Sequence, residues 1–483
     1  MSSHFLAIDF GTTSTKSALI DLECGTFVGV DRRTPGSAPP PTKTQTVTAA
    51  HDVSGRHELS LDELLRRFDA ICHAAWQTHE FDGIVLCSEM HGFVLVGPDG
   101  TPQTNYVSWL DARSLERIDG DSTHDLVVER LGDLFRSLTG MRPRPGFPLL
   151  NIAHTCRTGE VSVEEAWALS LPLALARLSH DGFAGADLVE HPTMLAAMAM
   201  ADVESGSIPS DPLLECIRVI GGCQIQLGTP CTEATISGHW PGPQGLVPIY
   251  AGVGDHQCSV LGAGPFPILD ANLNLGTGSQ VSIIDGPVSQ AFERRPYFEG
   301  RMLTTVTHIP AGRALNEFIG FLEDIAHFAG TTGDFWQALG SVTPQQISQA
   351  HLQMDLSVFE GARGWRNGGS IAGITEGSLT VQSYLAGVLG AFVQQYVDVL
   401  AELDPQTQLR RLILSGGIAR QLPQLQQILA ELTSYSTTPA ADLDESLLGL
   451  RALALRAAGR AATVADAWDL FGRQCHQDPP AES

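Results

Sequence analysis

The stretch that decides the fold is His4-Phe5-Leu6-Ala7-Ile8-Asp9-Phe10-Gly11-Thr12-Thr13-Ser14-Thr15-Lys16-Ser17-Ala18-Leu19-Ile20-Asp21. An apolar run, a Gly-Thr-Thr turn and a second apolar run read as a β-hairpin with a polar tip. A second copy follows at Ala271-Asn272-Leu273-Asn274-Leu275-Gly276-Thr277-Gly278-Ser279-Gln280-Val281-Ser282-Ile283-Ile284, where Gly276-Thr277 align with Gly11-Thr12 and Asn274 with Asp9. The chain therefore reads as internally duplicated. The spacing is too wide for a solenoid repeat and suits two similar domains facing each other across a cleft.

Working outward, Pro241-Gly242-Pro243-Gln244-Gly245 is rich in breakers and precedes an apolar run, which sets the expected domains at 1–245 and 246–483. The proline-rich stretch 34–48 reads as a surface loop followed by an extended segment. Helical periodicity marks 60–76 and 381–403, and alternating strands and helices elsewhere make α/β the expected class. The length of 483 residues fits two or three domains at roughly 100–200 residues each.

Apolar residues form 43% of the chain and charged residues 17%, so it can bury a core and is not compositionally disordered. The formal charge of −25 repels phosphate backbones and anionic lipid, which argues against nucleic-acid and membrane partners. Lys16 and Lys43 are the only lysines, each preceded by Thr, so neither fits a Walker A loop or a protein-kinase strand signature. The nine cysteines form no C-x-x-C pair and suggest neither a disulfide framework nor zinc; Cys216, Cys223 and Cys231 are the one loose cluster. Met1-Ser2-Ser3-His4 leads straight into the first strand without an export signal, and the apolar stretches 169–178 and 192–201 fall short of the roughly 20 residues of a spanning helix. The expected location is cytoplasmic.

Several segments could carry chemistry. The turn after Asp9 joins a carboxylate at a strand end to amides that can approach an anion, a geometry suited to a triphosphate with magnesium or to an ordinary tight turn. Leu412-Ile413-Leu414-Ser415-Gly416-Gly417 is a strand ending in Gly-Gly, able to admit a flat ring against backbone. Asp255, in Val253-Gly254-Asp255-His256-Gln257-Cys258, follows an apolar strand and is read either as a helix N-cap or as a carboxylate open to a cleft. Cys87-Ser88-Glu89-Met90-His91-Gly92 and Ser108-Trp109-Leu110-Asp111-Ala112-Arg113 offer hydroxyl partners beside an apolar wall, as a polyol site needs.

In this order the motifs resemble those of the FGGY carbohydrate kinases. Asp9-Phe10-Gly11-Thr12-Thr13 looks like the first phosphate motif, Leu275-Gly276-Thr277-Gly278 the second, Ser415-Gly416-Gly417 the adenosine motif, and Glu445-Ser446-Leu447-Leu448-Gly449 the segment that closes the C-terminal domain. Met90-His91-Gly92, Trp109-x-Asp111-x-Arg113 and Gly254-Asp255-His256-Gln257 look like the sugar-binding and catalytic motifs of xylulokinases and sedoheptulokinases; Arg295-Pro296-Tyr297-Phe298 adds a sedoheptulokinase flavour. The resemblance implies two actin-like ATPase (ribonuclease H-like) domains and transfer of the γ-phosphoryl of ATP to a terminal hydroxyl of a ketose. It assigns Asp255 as the base, with an ordinary pKa near 3.9 sufficing in a loose transition state. Met90, His91, Trp109, Asp111, Arg113 and Gln257 would bind the sugar, and Gly11, Thr12, Thr13, Lys16, Gly276, Thr277, Gly416 and Gly417 the ATP. Asp9 and Asp255 would hold Mg2+ through water. Dimerisation is a further implication. Departures lie at 146–151, without the usual lysine and tryptophan, at 194–206, rich in Ala and Met, and at Leu389, where Glu is usual. A catalytically silent sugar sensor and a sugar-independent actin-fold ATPase are the alternatives.

Overall fold

The computed structural model describes residues 4–11, 14–33, 55–161, 163–179, 183, 187–264, 270–276, 278–289, 291–358, 368–441 and 443–472. Two compact units emerge: Met1–Pro265 with Arg294–Arg301 and Ser446–Ser483, and Phe266–Glu293 with Met302–Glu445. The residues 241–245, behind the expected boundary at 245/246, form the tight end of a hairpin within the first unit. There Ile236–Gly242 pairs antiparallel with Gly245–Tyr250, and Gly242 faces Gly245. Proline and glycine mark hairpin turns as readily as linkers, so composition alone does not separate the two.

The main sheet of the first unit runs in the order Ile236–Gly242, Gly245–Tyr250, Gly83–Ser88, His4–Phe10, Thr15–Asp21, Phe27–Arg33, with Val253–Gly254 also paired to Gly83–Ser88. His4–Phe10 and Thr15–Asp21 form the expected antiparallel hairpin, and Gly83–Ser88 lies parallel to His4–Phe10. Phe5 through Ile8 are buried on both faces, which is why this strand is a continuous apolar run without alternation. The helix Leu61–Thr78 starts where the Ser60 side chain accepts from the Glu63 amide, with Asp62 and Glu63 complementing the dipole. Its buried stripe of Leu64, Phe68 and Ile71 joins the core of Leu6, Ile8 and Leu86.

The second unit repeats the plan. Its strands run Met302–Ile309, Ser279–Ile284, Asp270–Leu275, Arg411–Ser415, Ser436–Pro439, with the first three antiparallel and the last three parallel. Asp270–Leu275 thus stands to its hairpin partner and to Arg411–Ser415 as His4–Phe10 stands to Thr15–Asp21 and Gly83–Ser88, which accounts for the repeated sequence. Against this sheet packs Val381–Leu403, whose Phe392, Val393, Tyr396 and Leu400 share one core with Leu273, Leu275, Leu412 and Leu414. Among the described residues it is the one helix long and apolar enough to cross a membrane, and most of its apolar window is packed inside the protein. Leu389 is part of that core, fully buried, where an ionised glutamate would be costly.

One buried acid works against the fold. Burial pushes Glu190 up from 4.5 to about 7, with Ser170 pulling partly back. A carboxyl that holds its proton more tightly in the folded chain stabilises below its unfolded pKa, and that contribution is lost as pH rises through the folded pKa. In urea titrations, Glu190→Gln is expected to match the parent near pH 4.5 and to exceed it above pH 7 by on the order of 3 kcal/mol.

Candidate active site

Three neighbouring parallel strands of the first unit end along one edge. Asp9 lies opposite Cys87, and Cys87 opposite Val253, so Asp9, Glu89 and Asp255 leave the sheet within two residues of one line. The carboxyl ends of parallel strands are where open α/β sheets bind ligands.

The hairpin register sets Lys16 opposite Asp9, and its Nζ donates to Asp9 Oδ2 at 3.2 Å. Ser446 Oγ donates to the same oxygen at 2.6 Å, while Asp9 Oδ1 is buried and has no hydrogen-bond partner among the described residues. Glu89 accepts from the Tyr106 hydroxyl at 2.9 Å. A side chain at residue 92 would place its Cβ 2.0 Å from that hydroxyl, so Gly92 is required for the contact. Asp255 is the first residue of the helix Asp255–Ala263; the cap is Gly254, which settles the N-cap alternative. Asp255 Oδ1 accepts from the His256 amide at 2.7 Å. Burial, then the charges of Asp9 and Glu89, push Asp255 up to about 7, against the pull of the His256 amide and Arg295. The ordinary value expected from the sequence therefore does not hold, because a carboxylate among carboxylates in a confined space is disfavoured.

The segment Glu445-Ser446-Leu447-Leu448-Gly449 has a physical reason for its small residues. Cys258 Sγ, one turn into the Asp255 helix, donates to the Ser446 carbonyl at 3.2 Å, and a Cβ at Gly449 would lie 2.1 Å from the Cys258 carbonyl oxygen. This close approach brings Ser446 to Asp9.

Beside the carboxylates is a recess walled by Met90, His91, Thr193, Ala197, Gln257 and Arg295. His91 sits at φ +64°, donates from Nδ1 to the Ala197 carbonyl at 2.8 Å and packs on Phe147 at a ring distance of 4.6 Å. Gln257 donates to the Pro296 carbonyl at 3.2 Å, and its Oε1 is buried without a hydrogen-bond partner among the described residues. Two of the departures thus lie at the recess: Phe147 backs His91, and Ala196 and Ala197 form wall. Glu89, Ser446 and Arg295 were not singled out by sequence. Arg295 donates to His256 Nδ1 at 3.4 Å and approaches Met90 Sδ at 3.8 Å. Only its place in the quoted Arg295-Pro296-Tyr297-Phe298 segment hinted at it.

Asp111 and Arg113 are fully buried in a network of their own. Arg113 Nε and Nη2 each donate to Asp111 at 2.9 Å, Nη1 donates to Thr155 and Glu160 at 3.3 Å, and Nη2 also meets Glu58. Asp111 Oδ2 further accepts from the His57 amide at 2.7 Å. These bonds fix the loop that carries Trp109.

In the second unit, Asn274 pairs with Ser415, so Gly276 and Gly416 follow neighbouring parallel strands. Gly416 has φ +89°, and a Cβ there would lie 2.6 Å from the Leu275 carbonyl oxygen, so only glycine fits. Its amide donates to Glu445 Oε1 at 2.9 Å, which also accepts from Arg420 at 2.7 Å. Gly417 opens the next helix, Gly417–Gln421. Thr12, Thr13 and Thr277 lie outside the described residues. Cys216 and Cys223 are buried in an apolar core, and among the described residues no group of three or more His, Cys, Asp or Glu is arranged to hold a metal alone.

No protein-family profile and no curated protein sequence matches the chain. Solved structures do. A ligand-bound xylulose kinase from Lactobacillus acidophilus is similar at 17% identity and a TM-score of 0.78, covering 97% of this chain and 92% of that one. A gluconate kinase from Lactobacillus acidophilus gives 18% and 0.77, with coverage of 97% and 92%. A glycerol kinase from Plasmodium falciparum with ADP gives 15% and 0.71, again covering 97% and 92%. The chain has the fold of these kinases. It is the α/β fold of two actin-like, ribonuclease H-like domains expected from the motifs.

Removing one partner of a buried ion pair leaves the other charge uncompensated. Asp111→Asn is therefore expected to lower unfolding free energy by about 3 kcal/mol or more. A urea titration checks this; an unchanged midpoint with weakened sugar binding would instead make Asp111 a ligand contact.

Proposed function

We propose that the protein is an ATP-dependent carbohydrate kinase, transferring the γ-phosphoryl of ATP to a terminal hydroxyl of an open-chain sugar of the ketose class, with xylulose and sedoheptulose as the reference acceptors. The observation that carries this reading is Asp255, at the end of a parallel strand, beside both Asp9 and a recess lined by Met90, His91 and Gln257. The similar folds of a xylulose, a gluconate and a glycerol kinase support it.

In this reading Asp255 accepts the proton of the attacking hydroxyl. Gln257 Oε1, without a hydrogen-bond partner among the described residues, is an acceptor for a sugar hydroxyl, and His91, its Nδ1 anchored on the Ala197 carbonyl, is a second polar group of the wall. Met90 and Trp109 form an apolar wall, while Asp111 and Arg113 hold the Trp109 loop. Gly276, Gly416 and Gly417 leave room for nucleotide, and Gly11, Lys16, Thr12, Thr13 and Thr277 are assigned to its phosphates. Magnesium suits the donor set, since Asp9 Oδ1 is buried without a hydrogen-bond partner among the described residues and Mg2+ is usually held by one or two carboxylates with waters and phosphates. Bound there with Asp9 and Asp255, it would neutralise phosphate charge. Lys16 and Ser446 keep the Asp9 carboxylate in place.

Sugar-dependent ADP release across ketoses, polyols and sugar acids tests the reading. Asp255→Asn is expected to lower kcat roughly 10²- to 10⁴-fold with the fold intact. A general base raised to about 7 must be ionised to act, so kcat/KM of the parent should rise with pH and level off above about 7. Sugar-independent ATP hydrolysis would favour the plain ATPase, and sugar binding without turnover the silent sensor. Asp9→Asn should raise the Mg2+ concentration needed for half-maximal rate by about tenfold.

A further inference from the structure

The backbone just ahead of Asp255 is held by a side chain from outside its own strand. Gly254 ends the strand Val253–Gly254 and caps the Asp255 helix. Its amide donates to Thr193 Oγ1 at 3.2 Å. A Cβ at residue 254 would lie 2.6 Å from Gln257 Oε1 and 2.9 Å from Met90 Sδ, so this position admits no side chain and packs directly on two walls of the recess. A shift of Gly254 would therefore move Asp255 and disturb those walls together.

Thr193 is itself held. It belongs to the helix Pro192–Ala197, whose N-cap is His191. His191 Nδ1 accepts from the Thr193 amide at 3.3 Å and stands 2.8 Å from Thr193 Oγ1. An amide only donates, so Nδ1 carries no proton, and the Thr193 hydroxyl gives its single hydrogen to that nitrogen. The lone pairs of Thr193 Oγ1 are then turned to the Gly254 amide. The ring proton lies on Nε2, which faces Glu233 Oε2 at 3.9 Å, and Glu233 Oε1 is in turn 3.2 Å from Arg456 Nε. Phe298 packs on the His191 ring at 5.5 Å. His191 and Thr193 are both buried, so water does not compete for these bonds, and burial lowers His191 to about 3, which keeps the ring neutral near pH 7.

We propose that His191 and Thr193 are positioning residues for the general base: His191 orients the Thr193 hydroxyl, Thr193 holds the Gly254 amide, and this hold sets where the Asp255 carboxylate stands relative to the acceptor hydroxyl. The proposal rests on the kinase reading. Neither residue exchanges a proton with the substrate. Their effect on rate comes from geometry, since a misplacement of about 1 Å can cost on the order of 10²-fold.

The test has two readouts. Thr193→Val keeps the shape and removes the hydroxyl; kcat for sugar-dependent ADP release should fall roughly 10- to 100-fold while the sugar KM moves less than about threefold. Thr193→Ser should recover most of kcat. His191 is not among the residues lining the recess, so its variants separate positioning from sugar contact: His191→Asn, whose Oδ1 can replace Nδ1 as acceptor, should stay near the parent, and His191→Leu should fall with Thr193→Val. This second pair carries the test if Thr193→Val does not fold. The other readout needs no turnover: exchange of the Gly254 amide, followed by NMR in protein labelled with 15N-glycine, should quicken by about tenfold or more in Thr193→Val and stay parent-like in Thr193→Ser. Unchanged exchange in Thr193→Val, equal kcat loss in the Val and Ser variants, or a raised KM with kcat intact overturns the proposal. If exchange responds and no sugar elicits ADP release from the parent, the kinase reading falls and the hold on Gly254 stands. If the parent turns over and kcat ignores the loss of protection, the kinase stands and the positioning role falls.

Discussion

The structure around the candidate site depends on one electrostatic constraint: three carboxylates, Asp9, Glu89 and Asp255, delivered to one edge by three adjacent parallel strands. Parallel pairing fixes this without any help from the side chains, because strands that run together end together. Their repulsion then has to be managed locally. Lys16 and Ser446 take one oxygen of Asp9, Tyr106 takes Glu89, and Arg295 offsets Asp255. The remaining imbalance shows in Asp255 itself, raised to about 7. A group in that condition is poised between proton acceptor and proton holder near neutral pH, which is what general-base chemistry requires.

Much else in the first unit serves that edge. Gly92 allows Tyr106 to reach Glu89, and Gly449 allows the Ser446 segment to reach the Asp255 helix closely enough for Ser446 to meet Asp9. Both glycines are there for close approach and not for chain flexibility. The second unit uses the same strand order but has Asn274 where the first has Asp9, and Gly416 where the chain must turn against the Leu275 carbonyl. Duplication has kept the hairpin and its parallel neighbour while changing the charge at the tip.

What was legible in the sequence follows from range. The Phe5-to-Asp21 hairpin, its copy at 271–284 and the helix 381–403 are local patterns, and local patterns survive in one dimension. Asp255 was legible because a strand, a glycine and an acid stand in a row. Glu89 and Ser446 were not, since each acquires its role from a partner outside its own segment: Tyr106, 17 residues on, for Glu89, and Asp9, 437 residues away, for Ser446. The 241–245 segment is the opposite case: its breaker-rich signal is local, and in the folded chain it lies at the end of the hairpin Ile236–Gly242/Gly245–Tyr250.

Asp111 and Arg113 show what residue type leaves out. An acid and an arginine two apart look like convergent hydroxyl partners, yet in the folded chain they face each other first, and Glu58, Glu160, Thr155 and the His57 amide take most of what is left. Arg295 is the reverse. Its segment enters the sequence reading only through the family resemblance, and folding brings it against His256 and Met90 and into the field of Asp255. A polar side chain's availability to a ligand is therefore set by the acids and donors that folding brings to it. By that criterion the recess differs from the Asp111 network: among the described residues its Gln257 Oε1 has no hydrogen-bond partner, whereas Asp111 and Arg113 are bonded to each other and to their neighbours.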